Sequence, residues 1–217
     1  MKTERIRTGD DSYTLRVPEL DEHYHSIHGA RAESMHVFID AGLKALKNKP
    51  SIHLLEVGLG TGLNCLLTAA HQQPETTIRY TALEPFPLEK EILDSIAPEN
   101  EPERGRFWQI HHTPADGDAQ ITPGFLLHRS MQKLETLALH DPVDLVYFDA
   151  FAPRVQPELW TTEVFRLLYD LMSDNSILVT YCAKGDVRRA MQQAGFQVER
   201  LPGPPYKREM LRARKNS

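Results

Sequence analysis

Three glycines at alternate positions, Gly58, Gly60 and Gly62, stand between Glu56 and Asn64. Ahead of them runs Ile52-His-Leu-Leu-Glu-Val57, a short apolar strand. Behind them, Asn64 to Ala70 reads as helix until Pro74 ends it. A strand, a glycine loop and a helix start let the backbone turn tightly, approach a ligand closely and aim free N–H groups at it. The dinucleotide fingerprint GxGxxG needs glycine at position 63, which is Leu63. Glu84 closes a second strand, Ile78–Leu83, where this kind of fold places an acid that accepts from ribose hydroxyls. That acid alone does not exclude a nicotinamide dinucleotide. A further acid, Asp149, follows the apolar run Val143–Phe148 and opens Asp149-Ala-Phe-Ala-Pro153. A carboxylate there can accept a hydrogen bond from an amine, fix its lone pair and take its proton if the pKa permits. The alternative for Asp149 is a brace of its own loop.

The elements that must position these residues follow from hydrophobic spacing. Tyr13, Leu15 and Val17 alternate as a strand near the start. Met35, Phe38, Ile39, Leu43 and Leu46 predict one helix over Ala32–Leu46. A helix is expected over Pro87–Ile96, irregular chain over Asn100–Pro123, and a helix starting at Pro157 with Trp160, Val164, Leu167, Leu168 and Leu171 on its apolar face. Ser176–Tyr181 reads as a strand, and Asp186–Ala194 as a helix capped by Gly195. Phe196–Leu201 and Lys207–Ala213 read as a terminal strand pair. This alternation predicts an α/β fold, a doubly wound and mostly parallel sheet with an antiparallel C-terminal strand. The ligand belongs at the carboxyl ends of its strands. Residues 1–50 are expected to cap the cleft and residues 51–217 to form one compact unit.

Composition narrows the class. The 217 residues are 41% hydrophobic and 25% charged, which fits a globular domain and argues against disorder. No apolar run reaches the ~18 residues of a membrane span. The start MKTERIRTGDDSYTLRV lacks an apolar h-region, so no secretory signal is expected. With only Cys65 and Cys182, far apart, a reducing cytoplasmic setting is expected, without a disulfide scaffold or a cysteine zinc site. His23, His25 and His28, and the pair His111-His112, superficially suggest a metal, but no Cys or carboxylate stands at regular ligand spacing, so no metal is expected. The formal charge of −5 is uneven. Residues 184–217 hold nine basic and three acidic residues, a balance of +6, which leaves 16 against 27, or −11, in the rest. The basic end is a candidate polyanion face, with a solvated charged surface as the plain alternative. Trp108 and Trp160 read as core rather than as base-stacking residues.

The spacing GxGxG behind Glu56 resembles motif I of class I S-adenosylmethionine-dependent methyltransferases, which adopt a Rossmann-like fold. Longer motifs make the resemblance more specific. They are Tyr24-His-Ser-Ile-His-Gly-Ala-Arg-Ala-Glu33, Asp149-Ala-Phe-Ala-Pro153, Gln156-Pro-Glu-Leu-Trp160, Leu178-Val-Thr-Tyr-Cys-Ala-Lys-Gly185, Val187-Arg-Arg189 and Gly203-Pro-Pro-Tyr-Lys-Arg-Glu-Met210. Together they resemble the methyltransferase domain of the MnmC family, from about Tyr24 to Arg212. The resemblance implies methyl transfer from S-adenosylmethionine to the amine of an aminomethyluridine at the tRNA wobble position. It implies that Glu56, Gly58, Gly60, Gly62, Asn64 and Glu84, with Tyr24, Ser26 and Glu33, surround the cofactor. Asp149, with Phe151 and Pro153, would face the acceptor amine, and Arg188, Arg189, Lys207 and Arg208 would contact tRNA. Many family members add an FAD-dependent oxidoreductase domain. No second glycine-rich dinucleotide motif is present, so no FAD is expected, and another enzyme would supply the aminomethyl substrate. Tyr206 departs from the pattern, which has glycine there. Two rivals stay open: a methyltransferase for a small amine or polyamine, and a nucleotide-binding module without catalysis.

Overall fold

The computed structural model describes residues 2–217. The chain opens with three antiparallel strands, β1 (Glu4–Arg7), β2 (Tyr13–Val17) and β3 (Glu22–His23). The helix expected over Ala32–Leu46 is broken. It begins as α1 (Ala30–Ser34), widens to a π-helical turn over Met35–Asp40 and restarts as a 3-10 turn over Leu43–Leu46. Gly42 sits in the break with non-helical φ −100° and ψ −84°, and a Cβ on it would lie 2.5 Å from the Phe38 carbonyl oxygen and 3.2 Å from the Tyr147 ring.

Strand β4 (Ser51–Val57) then leads through the glycine loop into α2 (Leu63–His71). β5 (Thr77–Leu83), α3 (Lys90–Ile96) and α4 (Glu103–His112) follow. Next come β6 (Gly117–Thr122), β7 (Phe125–Ser130), β8 (Val143–Phe148), α5 (Thr162–Leu171), β9 (Met172–Thr180), α6 (Gly185–Ala194), β10 (Gln197–Pro202) and β11 (Glu209–Lys215). The stretch 100–123 is therefore not irregular. Phe107, Ile110 and His111 give α4 a buried face at helical spacing, while its other residues are polar. The β6–β7 hairpin turns at Pro123-Gly124, with Gly124 at φ +78°. Pro157 starts a 3-10 turn ending at Trp160, and α5 begins only after Thr161, whose Oγ1 accepts from the Val164 N–H at 3.3 Å.

Eight strands form one sheet in the order β10-β11-β9-β8-β4-β5-β7-β6. β9, β8, β4, β5 and β7 are mutually parallel. β11 runs against them, as expected, and so does β6 at the other edge. The central strands are buried on both faces, which explains their near-continuous apolar runs. One face packs Leu54, Tyr147 and Val179 against Phe38, Ile39 and Leu67. The other packs Leu55, Val146 and Phe148 against Phe165, Leu168 and Met191. Trp160 belongs to this second core, at 6% exposure. No helix among the described residues is long and apolar enough to cross a membrane.

Gly42→Ala tests the close approach. The added Cβ meets backbone rather than a flexible side chain, so the substitution should lower stability by about 1–3 kcal/mol despite alanine's better helix propensity. The urea midpoint reads this directly. A midpoint equal to or above wild type would show that the segment can draw back from the sheet.

Candidate active site

Parallel pairing sets the height of the site. Val57 lies level with Leu83 and Phe148, and Leu83 with Ser130. The residues that leave the strands, Gly58, Glu84 and Asp149, therefore emerge side by side. Backbone bonds hold them there: Gly58 N–H to the Leu83 carbonyl at 3.1 Å, Asp149 N–H to the Val57 carbonyl at 3.1 Å, and Glu84 N–H to the Ser130 carbonyl at 2.9 Å. The chain order reverses between β4 and β8, so the crevice lies at their carboxyl ends.

The loop's glycines serve different ends. Gly58 has φ +91°, and a Cβ on it would lie 2.8 Å from the Asp149 carbonyl oxygen. Gly60 lies under the Tyr24 ring, where a Cβ would come within 2.9 Å. Its N–H donates to Glu84 Oε2 at 2.8 Å, and the Phe86 N–H donates to Glu84 Oε1 at 3.1 Å. Each carboxylate oxygen keeps a further lone pair for a hydroxyl. Gly62 backs onto His111, and Thr61 is gripped from two sides. His25 Nε2 lies 2.7 Å from Thr61 Oγ1, and His111 Nε2 donates to the Thr61 carbonyl at 3.0 Å. Burial pushes both imidazoles down to about 4, so both are neutral at pH 7.

Two cavities meet at this level. The larger, about 830 Å³, is lined by Gly58, Gly60, Leu83, Glu84, Phe86 and Leu134 among others. The smaller, about 190 Å³, is lined by Ser26, Ile27, Glu33, Asp149, Tyr181 and Lys207 among others. Tyr24, Ala150 and Phe151 line both. The Tyr24 and Phe151 rings meet edge to face at 5.0 Å and form the wall between them. Phe151 is fixed by its N–H to Gln156 Oε1 at 2.9 Å and by Trp160 Nε1 donating to its carbonyl at 2.8 Å. Pro153 continues this half-buried loop without lining either cavity.

Asn64 joins two acids beneath the loop. Its Nδ2 donates to Asp149 Oδ2 at 2.7 Å and to Glu56 Oε1 at 3.0 Å. Glu56 is fully buried and also accepts from the Tyr80 hydroxyl at 2.8 Å. It lines neither cavity, so the expected direct contact with a cofactor is replaced by support from below. Burial raises the Glu56 carboxyl well above its ordinary value, with Asp149 adding to the effect. Asp149 is pushed up to about 7, first by desolvation, against the hydrogen bond from Asn64. The Tyr181 hydroxyl donates to the Ala150 carbonyl at 3.0 Å, and its phenol is held neutral by burial.

Lys207 corrects an expectation. It was assigned to a nucleic-acid backbone, but its ammonium turns inward, pairs with Glu33 and lies 4.5 Å from the Tyr181 ring centroid. Glu33 is buried, and its other oxygen accepts from the Ser26 N–H at 2.8 Å. Ser26 and Glu33 line the smaller cavity rather than the larger one. The basic end is also less free than its charge suggests. Arg189 pairs with Asp186, Arg200 with Glu209, and Arg212 and Arg214 with Glu199, while Lys215 donates to two carbonyls. Lys184, Arg188 and Arg208 form no ion pair among the described residues.

The turn before Lys207 explains the departure at Tyr206. The Lys207 N–H donates to the Pro204 carbonyl at 2.9 Å, with Pro205 and Tyr206 between them. Tyr206 has φ +70°, so this is a type II arrangement with proline first and a left-handed residue second. Glycine is the ordinary occupant, and a tyrosine there costs about 1–2 kcal/mol of backbone strain. The histidines that resemble a metal motif diverge: His25 holds Thr61, and His28 stacks on Tyr206 at 4.3 Å. Among the described residues no group of three or more His, Cys, Asp or Glu gathers as a metal site.

The model of a family described as S-adenosyl-L-methionine-dependent methyltransferase matches residues 125–216. A tRNA 5-methylaminomethyl-2-thiouridine biosynthesis bifunctional protein MnmC from Pseudoalteromonas atlantica is 30% identical over 97% of this chain and 33% of its own length. The protein of that name from Cupriavidus necator is 32% identical over 86% of this chain and 30% of its own. The crystal structure of MnmC2 from Aquifex aeolicus superposes with a TM-score of 0.84 and 26% identity, covering 98% of this chain and 70% of that one. Over nearly its whole length this chain is similar to one part of these MnmC proteins. It spans about a third of the length of the bifunctional MnmC relatives it matches. The matched family is described as dependent on S-adenosyl-L-methionine. Tyr181, Gln156, Thr61 and the two buried histidines are site residues that sequence reading missed. Only Tyr181 carried a signal, as the residue where β9 leaves the sheet beside Asp149.

Asn64→Ala should move the pH dependence of methyl transfer. Its amide lowers the Asp149 carboxyl, so its loss shifts the midpoint above about 7. The buried acids lose their shared donor, and stability should fall by about 1–3 kcal/mol. Rate against pH, with a parallel thermal melt, checks both. An unmoved midpoint would free Asp149 from Asn64.

Proposed function

We propose that this chain transfers a methyl group from S-adenosyl-L-methionine to the primary amine of an aminomethyl group on the wobble uridine of tRNA. The observation that carries this reading is the shared wall between the two cavities. Asp149 stands in the smaller cavity, one residue before Ala150 and Phe151, which border both. The larger cavity falls within the range of small-molecule sites. Its lining fits the cofactor: Glu84 for ribose hydroxyls, and two glycines where side chains would clash with Tyr24 or Asp149.

When bound, S-adenosyl-L-methionine supplies an electrophilic methyl on a sulfonium. Everything else belongs to the chain. Asp149 accepts a hydrogen bond from the acceptor amine and turns its lone pair toward the larger cavity. A carboxyl near 7 is matched to receive the proton that the nitrogen sheds on alkylation. Tyr24 and Phe151, packed edge to face, border both sites. The smaller cavity admits one base turned out of its stack rather than a duplex. The names of the MnmC relatives, which specify tRNA 5-methylaminomethyl-2-thiouridine biosynthesis, support this substrate. The free cations Lys184, Arg188 and Arg208 are the remaining phosphate contacts.

The first test incubates the chain with labelled S-adenosyl-L-methionine and tRNA that carries aminomethyluridine. Label should appear in the wobble nucleoside, and label only in added polyamines would favour the small-amine rival. Asp149→Asn should cut transfer about a hundredfold or more while S-adenosylhomocysteine still binds. Transfer within about tenfold of wild type would remove Asp149 from the chemistry. The wild-type rate should rise with pH through about 7 as Asp149 deprotonates. Stability has the opposite sign. The folded carboxyl lies above its ordinary 3.8, so the folding penalty is absent below that value, grows toward about 7 and is complete above it. Asp149→Asn should therefore melt higher than wild type above pH 7 and equally in strong acid.

A further inference from the structure

Among the described residues four large hydrophobic side chains are strongly exposed: Ile27, Phe86, Leu126 and Tyr206. Phe86 lines the larger cavity. Ile27 lines the smaller one, and Tyr206 directly precedes Lys207, which also lines it. Tyr206 is 80% exposed, so burial does not offset the left-handed backbone that it occupies. Strain retained at an exposed position points to a task for the side chain. One face of its ring is stacked on His28, with centroids 4.3 Å apart and planes at 29°. The high exposure leaves the other face open to solvent.

The loop is built to hold this ring in place. Gly203 donates its N–H to the Arg208 carbonyl at 3.2 Å, and a Cβ on Gly203 would strike Lys207 backbone at 2.5 Å. The His28 backbone is close-packed on Gly9, where a Cβ would lie 2.7 Å from the His28 carbonyl oxygen. Lys207, next in the chain, is pinned by Glu33. Tyr206 thus stands at the rim of the acceptor cavity, and Arg208, exposed and without an ion pair, lies two residues on.

We propose that the Tyr206–His28 pair is a stacking platform for the unpaired nucleobase next to the one that enters the acceptor cavity. The proposal rests on the reading of the substrate as tRNA. An open aromatic face takes any base, because every base has a π-face, and the adjoining guanidinium suits the phosphate that follows. One ring and one aliphatic side chain offer too little area for a stable protein partner.

The test uses the full chain and an RNA anticodon stem–loop with aminomethyluridine at the wobble position. Fluorescence anisotropy reads binding without turnover. Tyr206→Ala and Tyr206→Gly should each raise Kd at least about fivefold, while Tyr206→Phe stays within about twofold. Tyr206→Gly should melt at or above wild type, which separates the loss from unfolding. In the transfer assay the loss should fall on KM for the stem–loop rather than on kcat, and should vanish with the isolated nucleoside as acceptor. Three results would overturn the platform: Tyr206→Ala binding within about twofold of wild type, an equal loss with the isolated nucleoside, or a wild-type self-association that the substitution abolishes. If wild type binds the stem–loop through Tyr206 but labels no wobble uridine, the platform stands and the proposed reaction falls.

Discussion

One side-chain amide keeps two buried acids in contact. Asn64 donates from a single nitrogen to Glu56 and Asp149, and its own oxygen lies buried without a partner. Two carboxylates this close cannot both ionise cheaply away from water. Burial raises the Glu56 carboxyl well above its ordinary value, and desolvation pushes Asp149 up to about 7. Much of the local architecture serves this arrangement. The left-handed Gly62 starts α2 where Asn64 can look down onto β4, and the pairing of β4 with β8 brings Asp149 up beside it.

The smaller cavity is assembled from distant pieces of chain. Tyr24 to Glu33 come from ahead of the sheet, Asp149 to Phe151 from its middle, and Tyr181 and Lys207 from its last strands. Two contacts fasten the first piece to the glycine loop, the Tyr24 ring over Gly60 and the His25–Thr61 hydrogen bond. The same residues therefore close one cavity and border the other. Two cavities that share lining residues cannot shift independently.

The parts of this legible in sequence were those that obey a local rule. The glycine loop, Glu84 and Asp149 each sit at the end of an apolar strand, and parallel register then places them level. The parts that were not legible depend on partners far away. Nothing near Lys207 shows that it turns inward, because Glu33 lies in another part of the chain. Glu56 looked like a ligand because it belongs to the motif, yet a fully buried side chain cannot reach the cavity. Helix α4 was hidden by polar residues around a narrow apolar face, whereas the Pro-Gly turn ahead of β7 was available to be read. The break at Gly42 was not legible either, because it involves close packing on the Phe38 backbone and the Val179 and Tyr147 side chains of the sheet.

The Glu33–Lys207 pair joins residues 174 positions apart. Contacts that span most of a chain carry the largest loop-closure entropy and tend to form late on the way to the native state. The strand–loop–helix unit that holds the glycines is local by comparison and needs few distant contacts. A partly folded chain would thus own the glycine loop before it owned the smaller cavity, which is complete only once the two ends of the fold have met.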